Sequence, residues 1–226
     1  MAVEAITDLI PPDRIRVVHN GIDLNEIDPT LEQRLFPPDT IIIGRVSRFG
    51  RGQNLSMLIE ALRRLHTHQP LLRLTLVGGD SLMPGAEPVE AELRKLVTEG
   101  GLADIIKFTG IVENSLPYTL GFDIATCVSN DEGIPNSLIE AMACRKPVIS
   151  THVGAIPELV MDGESGLLIP PGDIEALCNA IESLINDPVQ RQRLGEAGRR
   201  TVEANFSLQQ AAAQYAEIYH QLLQDE

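Results

Sequence analysis

Apolar residues follow two alternating regimes along this chain. Short, nearly unbroken apolar runs occupy residues 41–44, 72–77, 105–109, 122–128, 147–150 and 166–169. Such runs predict strands, the continuous ones being of the kind buried on both faces of a parallel sheet. Between them apolar positions recur every three or four residues, as in Leu55, Leu58, Ile59, Leu62 and Leu65. That period predicts amphipathic helices over residues 54–66, 90–99, 116–120 and 137–144, with three more over 174–185, 189–204 and 208–223. Strands alternating with helices imply right-handed crossovers. The predicted fold is α/β: a Rossmann-like, doubly wound parallel sheet of about six strands with a C-terminal helical tail.

The N-terminal stretch breaks this regularity. A helical pattern over residues 2–10 stops at Pro11-Pro12, and Ile15-Arg16-Val17-Val18 predicts one further strand. Asn20-Gly21 is a turn dipeptide that permits positive φ. Residues 24–39 hold Pro29, Pro37 and Pro38 and read as a linker.

Composition narrows the function classes. The chain has 226 residues, 43% of them hydrophobic, which is enough for one large domain or two small ones. No apolar run approaches the ~20 residues that span a bilayer, so membrane contact is not encoded here. Glu4 and Asp8 without a preceding basic segment argue against a secretory leader. The net charge of −14 disfavours nucleic acid and anionic membrane as partners. Any anion site must therefore be a local feature. Cys127, Cys144 and Cys178 have no disulfide or metal spacing and fit small core residues of a reducing, cytoplasmic compartment. His19, His66, His68, His152 and His220 show no ligand spacing, and no metal site is expected.

Candidate chemistry concentrates in residues 129–143. A short loop with two acids, Gly133 and Pro135 joins a strand to a helix that Asn136 or Ser137 is placed to cap. The free N–H groups of that helix start and its macrodipole both favour an anion. Glu132 precedes the helix and Glu140 lies about one turn inside it, so both reach one pocket at the strand's carboxyl end, where open α/β sheets bind ligands. A second loop, residues 44–55, sets Arg45, Arg48 and Arg51 among Gly44, Gly50 and Gly52. Glycine admits close backbone approach, and arginine grips phosphate bidentately. Gly50-Arg51-Gly52 opens a dinucleotide-type glycine pattern, but Leu55 stands where the third glycine belongs and the acid expected ~20 residues on is missing. An NAD-dependent enzyme is thereby disfavoured.

The string Glu132-Gly133-Ile134-Pro135-Asn136, continued by Glu140-Ala141-Met142, resembles the Glu-x7-Glu motif of the family-4 retaining glycosyltransferases, which have the GT-B fold. Gly44-Arg45 is similar to that family's Gly-Arg-Leu-x3-Lys-Gly loop; Arg51-Gly52 takes the Lys-Gly place if one residue is inserted, with Arg48 as the other candidate. Gly110-Ile111-Val112 resembles the Gly-x-Val loop whose backbone contacts a nucleobase, and residues 151–158 resemble a Gly-Gly-x-Pro-Glu segment with Ala155 for the second glycine. The Asn20-Gly21-Ile22-Asp23 turn is similar to the one that marks the passage between the two domains of these enzymes.

The resemblance implies the donor-binding C-terminal half of a retaining, metal-independent enzyme. Such an enzyme moves a sugar from a nucleotide-sugar, UDP- or GDP-linked, to an acceptor without a cofactor. Residues 1–23 would be the tail of an N-terminal acceptor domain, 24–39 a linker, 40–206 the nucleotide-sugar-binding domain and 207–226 a helix crossing back. Carried over one residue at a time, Glu132 bonds a donor sugar hydroxyl and Glu140 bonds the ribose hydroxyls. The backbone from Gly133 through Ile134, Pro135, Asn136 and Ser137 to Leu138 meets sugar and β-phosphate, and Ile111 and Val112 meet the base. Arg45 and Arg51 stabilise charge on the departing diphosphate. The partner such a chain needs is the missing acceptor domain, without which it is expected to transfer nothing. The rival reading is a non-catalytic nucleotide or nucleotide-sugar-binding subunit.

Overall fold

The computed structural model describes residues 10–11, 14–81 and 85–224. Among the described residues six strands form one sheet: β1 (Ile41–Val46), β2 (Leu72–Val77), β3 (Ile106–Phe108), β4 (Ile124–Cys127), β5 (Val148–Thr151) and β6 (Leu167–Ile169). Their order is β3-β2-β1-β4-β5-β6, and every pairing is parallel. Ile43 of β1 sits opposite Leu74 on one side and Ile124 on the other, which fixes the register at the centre of the sheet.

The described residues form eight α-helices: α1 (Leu55–Leu65), α2 (Glu90–Glu99), α3 (Leu116–Leu120), α4 (Asn136–Ala143), α5 (Ile156–Leu159), α6 (Ile174–Asn186), α7 (Pro188–Asn205) and α8 (Leu208–Gln224). On one face Leu58 and Leu62 of α1, Leu93 of α2 and Ile181 of α6 pack with Leu74 and Ile124. On the other, Met142 of α4, Leu159 of α5 and Val202 of α7 pack with Ile42, Phe122 and Val148. Each fully buried leucine or isoleucine contributes about 1.5–3 kcal/mol, so the two apolar layers, not helix propensity, carry the sheet. Asp173 and Asp187 start α6 and α7 by accepting the Ala176 and Gln190 amides at 2.9 and 2.8 Å.

The N-terminal stretch departs from its sequence pattern. Residues 15–20 form no strand, and among the described residues no segment offers them a hydrogen-bond ladder. The helix expected over residues 2–10 lies outside the described residues, apart from Ile10. Residues 24–39 are pinned to the body. Arg34 donates to the Asp123 carboxylate at 3.0 Å and to the Gly121 and Thr40 carbonyls at 3.2 and 3.0 Å, while Phe36 enters the second apolar layer. The Ile22 amide donates to Phe206 and the Leu208 amide to Ile22, each at 2.9 Å, which clasps this segment to the start of α8. Of α8 itself only Ala211 is buried; Tyr215, Tyr219, Leu222 and Leu223 are exposed. The helix therefore does not lay its apolar stripe on its own sheet. Among the described residues no helix is long and apolar enough to cross a membrane.

Strand order reverses between β1 and β4. The crossovers from β1 and β4 leave toward opposite faces, so a crevice opens past their carboxyl ends. Gly44 leaves room for the Phe122 ring just ahead of β4: a Cβ there would lie 2.1 Å from that ring. Gly44→Ala is expected to cost about 1–3 kcal/mol through this overlap, read as a lower urea midpoint. An unchanged midpoint would contradict the packing described.

Candidate functional site

The loops after β1 and β4 meet across the crevice. The Asn130 amide donates to the Gly52 carbonyl at 2.9 Å, tying the 3-10 turn Arg51–Gln53 to the loop before α4. The same approach brings Arg45, Gln53, Ser129 and Glu132 together. Arg45 is 2% exposed at the end of β1. Its guanidinium donates to Ser129 Oγ at 3.1 Å, to the Thr126 carbonyl at 3.3 Å and to Gln53 Oε1. Its Nη2 stands 3.6 Å from Glu132 Oε1, which also accepts from Ser129 Oγ at 2.8 Å and Gln53 Nε2 at 3.2 Å. A buried cation is costly unless paired, and Glu132 supplies the counter-charge.

Helix α4 starts without a side-chain cap: Pro135 occupies the N-cap position and has no such group to offer. Neither Asn136 nor Ser137 caps it, contrary to the sequence expectation. Both fall inside the helix, and Asn136 Oδ1 instead accepts from Asn20 Nδ2 at 3.0 Å. The Leu138 and Ile139 amides fold back onto the Pro135 carbonyl at 3.0 and 3.3 Å. That leaves the Asn136 and Ser137 amides without an intrahelical acceptor, facing the loop of Gly133 and Ile134. The Leu138 side chain is buried in the core and its amide is taken, so its part in any site is indirect. The uncapped turn presents free donors and the positive end of the helix dipole, the two features that favour an anion.

Next to it lies a cavity of about 570 Å³, lined by Val46, Ser47 and Arg48 at the end of β1, Val77 to Asp80 at the end of β2, and Ile111 to Glu113 with Ser115 after β3. Its size suits a small organic ligand, and its walls are mostly apolar. Ile111 and Val112 are thus brought to the site. Ser115 joins the cavity to α4, because its Oγ donates to Glu140 Oε2 at 3.1 Å. Burial pushes the Glu140 carboxyl above its ordinary range, and the Ser115 hydroxyl opposes that shift by stabilising the ionised form.

Arg51 does not converge with Arg45. It is 67% exposed and pairs with Glu87 at 2.7 Å and Glu92 at 3.6 Å, on the side of α2. Such exposed pairs are worth about 0–1 kcal/mol, so a bound anion competes for this side chain at little cost. Arg48 lines the cavity. Asp80 Oδ1 is committed to the Val89 and Glu90 amides, at 2.7 and 2.8 Å, and holds the start of α2.

The sequence pattern gives no sign of Ser115; it marks the segments holding Gln53 and Ser129, residues 44–55 and 129–143, without giving either side chain a role. It passed over Gly154 as well, although the segment holding it was singled out. Gly154 has φ +51°, and a Cβ there would stand 1.7 Å from the Glu132 carbonyl. The turn after β5 therefore presses directly on the Glu132 backbone. Among the described residues no group of three or more His, Cys, Asp or Glu side chains is placed to hold a metal ion.

The family described as glycosyl transferases group 1 matches residues 27–201. The chain is 31% identical over 226 residues to the MMP alpha-(1->4)-mannosyltransferase of Mycolicibacterium hassiacum, covering 98% of this chain and 52% of that protein. It superposes on the sucrose-phosphate synthase of Thermosynechococcus elongatus with TM-score 0.82 at 30% identity, over 99% of this chain and 57% of the other. Anabaena HepE in complex with UDP-glucose gives TM-score 0.82 at 26% identity, over 96% and 60%. The chain spans between 52% and 60% of the length of the first curated relatives it matches.

Two outcomes follow from the site's geometry. Gly154→Ala is expected to lose about 1–3 kcal/mol of stability through backbone strain and the Glu132 clash, with faster amide exchange concentrated in residues 129–137. Uniform exchange rates would contradict the prop. Ser115→Ala is expected to raise the Glu140 carboxyl further, since it removes the group that favours the charged form. Carboxyl-carbon NMR titration reads this directly, and an unchanged or lower midpoint would contradict the contact.

Proposed function

The chain belongs to the glycosyl transferases group 1 family, and we propose that it binds the nucleotide-sugar donor of a retaining, metal-independent transferase. The observation that carries the reading is the order of features along the crevice. The cavity holding Ile111 and Val112 leads through Ser115 to Glu140, then to the uncapped start of α4, then to Glu132. A nucleotide-sugar has the same order: base, ribose, diphosphate, sugar. HepE, similar in fold, is described with UDP-glucose, which supports a uridine donor, with a guanosine donor as the other candidate.

In this reading the base enters the cavity against the backbone of Ile111 and Val112. The Glu140 carboxylate accepts from the two ribose hydroxyls, a task for which an ionised carboxyl has the lone pairs. The Asn136 and Ser137 amides and the Gly133-Ile134 backbone receive the β-phosphate and sugar, and Glu132 accepts from a sugar hydroxyl. In the reaction the bond from the anomeric carbon to the β-phosphate oxygen breaks, with its electron pair moving to that oxygen. An acceptor oxygen bonds the same face of the carbon, and the acceptor's proton passes to the released diphosphate. Charge growing on the diphosphate meets the helix dipole, Arg51 released from Glu87 and Glu92, and the buried charge of Arg45. The acceptor site belongs to the other half of the enzyme, and the exposed Tyr215, Tyr219 and Leu222 stripe of α8 fits a surface for it to cover. Alone, the chain is expected to bind donor and transfer nothing.

Calorimetric titration with UDP, GDP and their sugar conjugates tests this. One base series should bind, and Glu140→Ala should weaken it about 10–100-fold, the worth of hydrogen bonds to a charged group. No binding by the folded chain to any of them would overturn the reading. Affinity for the sugar conjugate, whose diphosphate has no group titrating near neutrality, should fall as pH drops, starting above the ordinary carboxylate range. The cause is protonation of Glu140, and Glu140→Gln should flatten the profile. A wild-type profile already flat would contradict the ribose role.

A further inference from the structure

We infer that Gln53 is a positioning residue that fixes the Glu132 carboxylate for the donor sugar. The inference rests on the donor-site reading above and assigns a role that neither the motif nor the helix start supplies.

Gln53 ends the 3-10 turn Arg51–Gln53, in the loop across the crevice from the Glu132 loop, and is half-buried between Arg45 and Glu132. Its two amide ends face opposite partners. Oε1 accepts from Arg45 and lies 3.3 Å from Ser129 Oγ, while Nε2 donates to Glu132 Oε1 at 3.2 Å. The chemistry allows only this orientation, since a guanidinium has no acceptor and a carboxylate has no donor. One amide thus reads the sign of both neighbours.

The consequence lies at Glu132. Ser129 and Gln53 both donate to Oε1, and Arg45 stands nearest the same oxygen. All three hold one edge of the carboxylate, which leaves Oε2 for a ligand hydroxyl. Arg45 holds its charge below, 2% exposed and without room to follow a moving partner. Without Gln53, Glu132 keeps Ser129 but loses the tie to the loop after β1. The carboxylate is then free to swing toward solvent, where it is better hydrated. The nucleoside end of the site, at Ser115 and Glu140, touches none of these groups.

The test therefore compares ligands. Unsubstituted chain and Gln53→Met, which keeps the side-chain length without the amide, are each titrated with a nucleoside monophosphate, its diphosphate and its sugar conjugate. Monophosphate affinity should stay within about twofold. The ratio of sugar-conjugate to diphosphate affinity should fall about tenfold, the worth of a hydrogen bond to a charged group. In a Glu132→Gln background Gln53→Met should change that ratio no further, since the two act as a unit. A ratio that is unchanged, or an equal loss for all three ligands, overturns the assignment. Absence of any binding by the unsubstituted chain overturns the donor-site reading instead. Should Gln53→Met fail to fold, Gln53→Glu keeps length and polarity but faces Glu132 with an acceptor. The same fall in ratio is expected of it, and an unaltered ratio overturns the proposal.

Discussion

A guanidinium buried at the carboxyl end of the central strand sets the conditions for the whole crevice. Arg45 cannot leave its charge unpaired in a low-dielectric interior, where the effective penalty is several kcal/mol per ion. Everything that satisfies it comes from elsewhere in the chain: Thr126 and Ser129 from the β4 side, Gln53 from the turn ahead of α1, Glu132 from the acidic loop. Those contacts draw the loops after β1 and β4 together at the point where strand order reverses. The bond from Asn130 to Gly52 then closes the seam. The constraint thus runs from one charged residue to the shape of the ligand crevice.

Around that seam the fold divides the work. Apolar walls and a roomy cavity lie on the β2–β3 side, and free amides and carboxylates lie on the β4–α4 side. Ser115 is the join, since it lines the cavity and holds Glu140. The turn after β5 backs the acidic loop through Gly154, whose missing side chain lets two backbones touch. In a chain of net charge −14, any affinity of the crevice for an anion depends on such local devices. The helix start and Arg45 provide positive potential where the surface as a whole does not.

Most of the fold was legible in the sequence because its physics is local. Strands buried on both faces read as apolar runs, and all six lie where those runs fall, with ends that differ by at most two residues, β4 being shorter than 122–128 and β1 longer than 41–44. Helices α1 to α4 and α6 to α8 followed from their stripes and stops in the same way, whereas the four-residue α5 is too short to show a stripe and was not expected. The strand expected at 15–18 failed because strand formation is a property of a pair, and no described segment pairs with it. The cap failed because Pro135 carries the N-cap backbone itself and shifts the helix start one residue ahead of Ser137. The site was legible only where the motif is contiguous. The loop from Glu132 to Glu140 could be recognised whole. Ser115 and Gln53 reach their carboxylates across 25 and 79 residues of chain, and no local pattern gives either side chain a role. Nor could the sequence tell that Arg45 is buried while Arg51 points toward Glu87 and Glu92.

The central claim is that the crevice binds a nucleotide-sugar in one direction, base in the cavity and sugar at Glu132. Amide chemical-shift mapping during titration with the sugar conjugate, and separately with its free nucleoside, tests it most directly. The nucleoside should perturb Ile111, Val112, Ser115 and Glu140. The conjugate should add Gly133, Ile134, Asn136, Ser137 and the Gln53 side-chain amide. Perturbations in the reverse order, or confined to surfaces away from the β1–β4 crevice, would contradict it.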